Sequence, residues 1–322
     1  MTITAHSSPA SRARGDSPRN DRLFLTLAVL AVVLAFVQLT LGGVVRVTGS
    51  GDGCPDWPQC FGSWVPPWND RYAITEWSHR TTGAVYGLVV FALTAMAWLR
   101  HPSERGLAWT FTGTAVLITI VGGLGGAVVL NDLDPAIRTV HLMGAEFAIG
   151  LTALALVMIT FRPRRAADPE YARVLRVSVL AAALTLAALL TGAYSVWKGA
   201  GFVCVSWPLC GGSVIPESSY QWIHMAHRLL AGVSVLAVAY AAHRAYRLPG
   251  APNALRWVSL VALAAVTAPV LVGAANPWTD FAQWARAAHL SLATLVWLVM
   301  CLEMALVLRP ELRPDGAVER VD

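Results

Sequence analysis

Eight apolar runs set the terms on which this chain can fold. They cover roughly residues 23–45, 74–99, 107–130, 137–161, 174–196, 221–243, 255–275 and 285–308. Each is close to the ~20 residues a helix needs to cross ~30 Å of hydrocarbon. Lipid offers no hydrogen bonds to a backbone, so runs of this length form helices that satisfy their own N–H and C=O groups. The 322 residues are 56% hydrophobic and only 13% charged, too few charges to coat a soluble protein of this size. The expected class is all-α, a polytopic membrane protein with eight transmembrane helices. The first run is too long for the core of a signal peptide and is expected to stay as a helix.

The charges give an orientation. With a cytosolic N-terminus, Arg12, Arg14, Arg19, Arg22, Arg100, Arg105, Arg162, Arg164, Arg165, Arg173, Arg176, Arg244, Arg247, Arg256, Arg309, Arg313 and Arg320 all lie inside, 17 of the 24 basic residues. The positive-inside bias therefore places both termini in the cytosol. The net charge of +5 does not point to nucleic acid, because the basic residues sit between apolar runs rather than on a polar, aromatic-bearing surface. Residues 1–22 read as a disordered cytosolic tail and 309–322 as a second one.

An internal repeat organises the rest. Cys54-Pro-Asp-Trp-Pro-Gln-Cys60 returns as Cys204-Val-Ser-Trp-Pro-Leu-Cys210, 150 positions later. His79-Arg80 returns as His227-Arg228, and Arg138-Thr-Val-His141-Leu as Arg286-Ala-Ala-His289-Leu, both 148 positions later. Recurrence in order at one offset marks a tandem duplication of a four-helix unit. The halves are 23–161 and 174–308. An even number of spans per unit makes the repeats parallel, so two four-helix bundles are expected about a pseudo-twofold axis along the membrane normal.

Ionisable or ligating groups inside spans are costly and mark functional sites. His79, His141, His227 and His289 are expected four to seven residues inside the outer ends of the even-numbered helices, about 6–10 Å deep at 1.5 Å per residue. His79 can then face His141 at one depth, and His227 can face His289. Two imidazoles facing across a bundle suit the axial positions of a haem iron. A single such histidine is more simply a packing residue, but four at duplicated positions favour ligation. Zinc or copper fits less well, since no carboxylate or thiol completes a compact shell. Arg80, Arg138, Arg228 and Arg286 flank these histidines, and haem propionates need such cations at the membrane edge. Snorkelling arginines are the simpler alternative.

The halves differ at one position. Glu76 lies one helical turn before His79, where the second half carries His224. A carboxylate there could move protons or stabilise a developing cation, or it could only pair with Arg80 or Arg138. His224 could be a spare ligand, a proton donor or a propionate partner. Each outer-loop cysteine pair would close a small ring, either as a structural staple or as a bond exchanging with an external thiol–disulfide protein. Cys301, in the last run, reads as packing.

Glu76-Trp-Ser-His79-Arg80, His227-Arg228, His141, His289 and the two cysteine pairs together resemble the haem A synthase family over residues 23–308. The resemblance implies an eight-helix plasma-membrane enzyme that oxidises a methyl group of haem O to the formyl group of haem A for terminal oxidases. It implies that His79 and His141 flank the substrate haem O, with Glu76 catalytic. His227 and His289 would hold a haem b cofactor. Cys54–Cys60 would be the pair tied to function, beside a second pair Cys204–Cys210. Supply logic adds a partnership with the haem O synthase (protohaem farnesyltransferase), and the loop cysteines add a thiol–disulfide oxidoreductase. Two other classes account for the histidines: a dihaem cytochrome oxidising quinol, and a haem exporter or chaperone. The cytochrome leaves the lone Glu76 and the matched cysteines less well explained, and the exporter or chaperone predicts one readily exchanged haem with no change to the porphyrin.

Overall fold

The computed structural model describes residues 17–164, 166–212 and 215–313. Its eight long helices are α1 Arg22–Thr48, α2 Arg71–Arg100, α3 Arg105–Leu130, α4 Pro135–Thr160, α5 Pro169–Trp197, α6 Ser219–Tyr246, α7 Asn253–Ala275 and α8 Gln283–Leu308. All eight are long and apolar enough to cross a membrane. The chain is an all-α, multi-pass membrane protein.

The helices start earlier than the apolar runs because polar residues cap them. Asp21, Asp70, Asp134 and Asp168 each accept backbone N–H groups of the first turn. Ser218 and Gln221 form a reciprocal capping box at α6. Pro135 and Pro169 occupy first-turn positions where no N–H is needed. With α2, α4, α6 and α8 each starting two or three residues earlier than the apolar runs, the four histidines lie about two turns inside their helices.

Consecutive helices pack side by side, and α4 and α8 are the most buried of the eight. These two pack on each other and on α1 and α5, forming the seam between α1–α4 and α5–α8. Small residues line it, and at Gly43 a β-carbon would meet Leu290 at 3.0 Å. The seam is also polar. Thr294 of α8 donates to Glu146 Oε1 of α4 at 2.7 Å, and Trp297 Nε1 donates to the Glu146 carbonyl at 2.7 Å. Ser178 of α5 donates to Glu303 Oε1 of α8 at 2.7 Å. The outward faces carry Leu88, Leu229, Leu236 and Leu271, well exposed and suited to lipid tails. Exposed tryptophans ring both ends of the bundle: Trp64, Trp68, Trp222, Trp278 and Trp284 at the histidine end, Trp98, Trp109 and Trp257 at the other.

The expected tails are partly ordered. Residues 1–16 and 314–322 lie outside the described residues, but Pro18–Asn20 forms a short 3-10 turn before α1. After α8, Glu311–Leu312 pairs antiparallel with Phe161–Arg162. Arg313 then reaches under α3 and α4. It donates to both carboxylate oxygens of Glu104 at 2.5 and 2.7 Å and to the Met158 carbonyl at 3.0 Å.

The Arg313 guanidinium holds the Glu104 carboxyl below its ordinary range. A carboxyl lowered in the folded state stabilises above its ordinary value and loses that contribution as pH falls through the lowered one. Glu104→Gln is therefore expected to cost on the order of 1 kcal/mol at neutral pH and nothing once the medium is acid enough to protonate Glu104. Thermal unfolding in detergent at pH 7 and pH 3.5 checks this.

Candidate functional site

Each of the four histidines leans on a glycine of the preceding helix. A β-carbon on Gly42 of α1 would meet His79 Cε1 at 3.1 Å, and one on Gly125 of α3 would meet His141 Cε1 at 3.1 Å. On Gly192 of α5 it would meet His227 Cε1 at 2.6 Å, and on Gly273 of α7 His289 Cε1 at 2.7 Å. Only a residue without a β-carbon leaves room for the ring edge against the helix backbone.

Three of the rings are also fixed by hydrogen bonds. His141 Nδ1 lies 3.0 Å from the Val121 carbonyl, His227 Nδ1 2.9 Å from the Ala188 carbonyl, and His289 Nδ1 2.8 Å from the Pro269 carbonyl. In every case the carbonyl is one turn before the cradling glycine. A carbonyl can only accept, so Nδ1 carries the proton and Nε2 keeps a free lone pair. That is the tautomer of a metal-ligating imidazole. The His227 and His289 rings stand 6.3 Å apart, centroid to centroid. Two metal–nitrogen bonds of about 2 Å plus two ring half-widths of about 1.1 Å span that distance. The donor set therefore fits a haem iron held between two axial imidazoles.

His79 departs from the pattern. Its Nδ1 has no hydrogen-bond partner, and its Nε2 lies 3.4 Å from the side-chain amide nitrogen of Gln38. Gln38 occupies the place on α1 that Ala188 occupies on α5.

The loops after α1 and α5 fold over the histidine end. Cys54–Cys60 and Cys204–Cys210 are disulfides, each with a Cα–Cα distance of 4.6 Å. In the first loop the Trp57 ring sits where a β-carbon on Gly126 would be, 2.7 Å away, which brings the loop against α3 beside Gly125. Arg80 and Arg228, expected at haem carboxylates, are engaged by the loops. Arg80 donates to the carbonyls of Cys54, Asp56 and Gln59 at 3.1, 2.7 and 2.7 Å, and its Nε donates to Glu76 Oε1 at 2.9 Å. Arg228 donates to the carbonyls of Cys204, Ser206, Pro208 and Leu209. The reason is local: five forked donors match a tight loop whose carbonyls converge. Glu76 is buried at 6% exposure and paired with Arg80, and not with Arg138. His224, its counterpart, turns away, with Nδ1 3.0 Å from the Ala200 carbonyl.

Asp56 ties the first loop further, accepting from the backbone N–H groups of Phe61 and Gly62 at 2.6 and 2.7 Å. The Gly62 bond above all holds its carboxyl below the ordinary range. Ser206 does the equivalent work in the third loop, accepting from the Gly211 N–H at 2.9 Å.

Arg138 and Arg286 sit one turn above His141 and His289. Arg138 Nε donates to the Leu133 carbonyl, and its guanidinium lies 5.9 Å from the Trp197 ring. Arg286 donates to the Val47 carbonyl at 3.1 Å, while its Nε is buried without a partner. Sequence reasoning missed the four glycines, although they repeat at the same 150 and 148 offsets as the motifs. It missed Gln38 and Arg46 because neither has a counterpart in the second half.

The glycine cradles are directly testable. Gly192→Ala and Gly273→Ala are expected to push His227 and His289 off their carbonyls, lowering stability by about 1–3 kcal/mol and abolishing the low-spin bis-histidine spectrum of that site. Gly232→Ala, where a β-carbon meets nothing within 4 Å, should leave both unchanged. Absorption spectra and melting curves of the three variants decide it.

The chain is similar to known proteins over most of its length. Residues 25–301 match the COX15-CtaA family, described as cytochrome oxidase assembly protein. A protein named haem A synthase from Symbiobacterium thermophilum is 32% identical over 286 residues, 86% of this chain and 92% of its own length. Proteins of the same name from Geobacillus kaustophilus and Geobacillus thermodenitrificans are 28% and 27% identical, over 90% and 94% of this chain and 93% and 96% of their own lengths. The paired, glycine-cradled histidines thus lie in a chain that belongs to the COX15-CtaA family, the family of the haem A synthases.

Proposed function

We propose that the chain is a haem A synthase in which the half spanning 23–161 works on haem O and the half spanning 174–308 keeps a haem b. The carrying observation is the four histidines on glycine cradles, with a buried carboxylate beside one pair only. His79 and His141 would flank the substrate haem O, and His227 and His289 would hold the haem b. The second haem, when bound, supplies one-electron redox chemistry. The overall change is a four-electron oxidation of a methyl group to a formyl group by two hydroxylations and loss of water from the geminal diol, with an external oxidant taking the electrons, which makes the enzyme an oxidoreductase.

The protein's own part is positioning and electrostatics. The glycine cradles and helix carbonyls position the imidazoles, so the packing of α1–α4 would determine how His79 and His141 meet the substrate. Glu76, anionic against Arg80, sits one turn above His79 and stabilises positive charge developing at the substrate carbon. The Arg80 fork keeps that carboxylate in one orientation, because its other donors are anchored in the Cys54–Cys60 loop. Trp57 and the loop close the site against water. Arg138 and Arg286, one turn before His141 and His289, would be the arginines that hold the propionates. Positive-inside topology places the loops and their disulfides in the oxidising compartment, within reach of a thiol–disulfide oxidoreductase. The haem O synthase would deliver substrate through the bilayer.

The test is the mass of haem extracted from protein co-expressed with a haem O source. Wild type is expected to give haem A plus haem b. Glu76→Gln should retain haem b and the His79 ligand spectrum while haem A falls by about 10²–10⁴-fold. Undiminished haem A from this variant would remove Glu76 from the chemistry. Two equivalents of haem b from wild type, with haem O present, would favour an electron-transfer cytochrome.

A further inference from the structure

Arg46 has no assigned part in the reading above, and its surroundings are unusual. It lies in the last turn of α1. Two contacts on either side of it press this stretch against α8 of the other half: Gly43 against Leu290, next to His289, and the Val47 carbonyl against Arg286 Nη2 at 3.1 Å. Among the described residues the guanidinium of Arg46 finds no hydrogen-bond partner, and its Nε is buried. The charges acting on it are those of Arg286 and Arg138, both cations, and its own charge acts on His289. Arg286 Nε is likewise buried and unpartnered. Two neighbouring guanidiniums with idle buried donors and no carboxylate between them form a site for an anion.

The other half is built differently. The place of Arg46 on α5 is taken by Val196, whose side chain packs where a β-carbon on Gly201 would stand, 2.7 Å away. Arg138, the remaining arginine there, already has its Nε on the Leu133 carbonyl.

We propose that Arg46, contributed by the first half, clamps a propionate of the haem held by His227 and His289 in the second half, together with Arg286. The carboxylate accepts from the idle donors of both arginines, and the two forks suit its planar oxygens. The haem of the second half thereby gains a charged contact that the haem of the first half lacks. This asymmetry separates a cofactor that stays from a substrate that leaves. The inference rests on the proposed division into a substrate site and a cofactor site, and the experiment separates the two.

Two full-length single-site proteins are loaded with haem b: His79→Ala/His141→Ala, keeping the second-half site, and His227→Ala/His289→Ala, keeping the first. Haem release is followed by transfer to excess apomyoglobin. Arg46→Gln is expected to speed release from the second-half site by about tenfold or more, the equivalent of one charge-assisted hydrogen bond, with release from the first-half site unchanged. Arg46→Lys, which keeps the charge without the fork, should fall between. With haem dimethyl ester, whose propionates cannot bind as anions, Arg46→Gln should have no effect on release. An equal effect at both sites, or an equal effect on the ester, would overturn the clamp. Failure of the starting single-site proteins to give a bis-histidine spectrum would instead overturn the site reading on which it stands.

Discussion

Everything at the histidine end depends on how closely a helix backbone can approach an imidazole ring. Glycine at 42, 125, 192 and 273 lets the ring edge reach the neighbouring helix, and the carbonyl one turn earlier then fixes the tautomer at three of the four. The imidazole nitrogens are therefore oriented by helix packing rather than by flexible side-chain partners. A helix is rigid over the few residues between glycine and carbonyl, so each imidazole inherits the position of the bundle itself. Shifting a helix by a fraction of an ångström would move these rings, and the α4–α8 seam lies close to them: Glu146 and Thr294 follow His141 and His289 by five residues each.

The arginines show how one residue type divides its labour. Arg80 and Arg228 hold loops, because they follow histidines on helices that begin directly below a ring of convergent carbonyls. Arg138 and Arg286 lie on helices entered from short connections, where no such ring exists. Through Arg80, the disulfide loop and the buried Glu76 are parts of one hydrogen-bonded unit. In the second half the same loop ends on Arg228 alone, and His224 turns to a different carbonyl.

Much of this was legible in the sequence. The eight spans followed from apolar length, and the repeat followed from motifs at a common offset, since a parallel duplication keeps every helix in the same membrane sense. The two disulfides were visible for the same reason. Three things were not. Helix ends were misjudged because Asp and Ser caps extend helices into polar territory that hydropathy scores as loop. The roles of Arg80 and Arg228 depended on where loop carbonyls fold back, which spacing does not encode. Gln38 and Arg46 escaped because a search for recurrence finds what the halves share, and these residues matter through what they do not share.

The contact between Glu146 and Thr294 carries a last consequence. The two positions are 148 apart, the offset that relates His141 to His289, so each stands where the other would be after a half-turn about the axis between the halves. A homodimer of single four-helix chains would put the same residue on both sides of that axis: two glutamates, whose carboxylates repel in hydrocarbon, or two threonines, with no carboxylate at all. Joining both copies in one polypeptide removes that restriction. A donor can face an acceptor at the dyad itself, and the fused chain holds its halves together with a bond that no symmetric ancestor could have made.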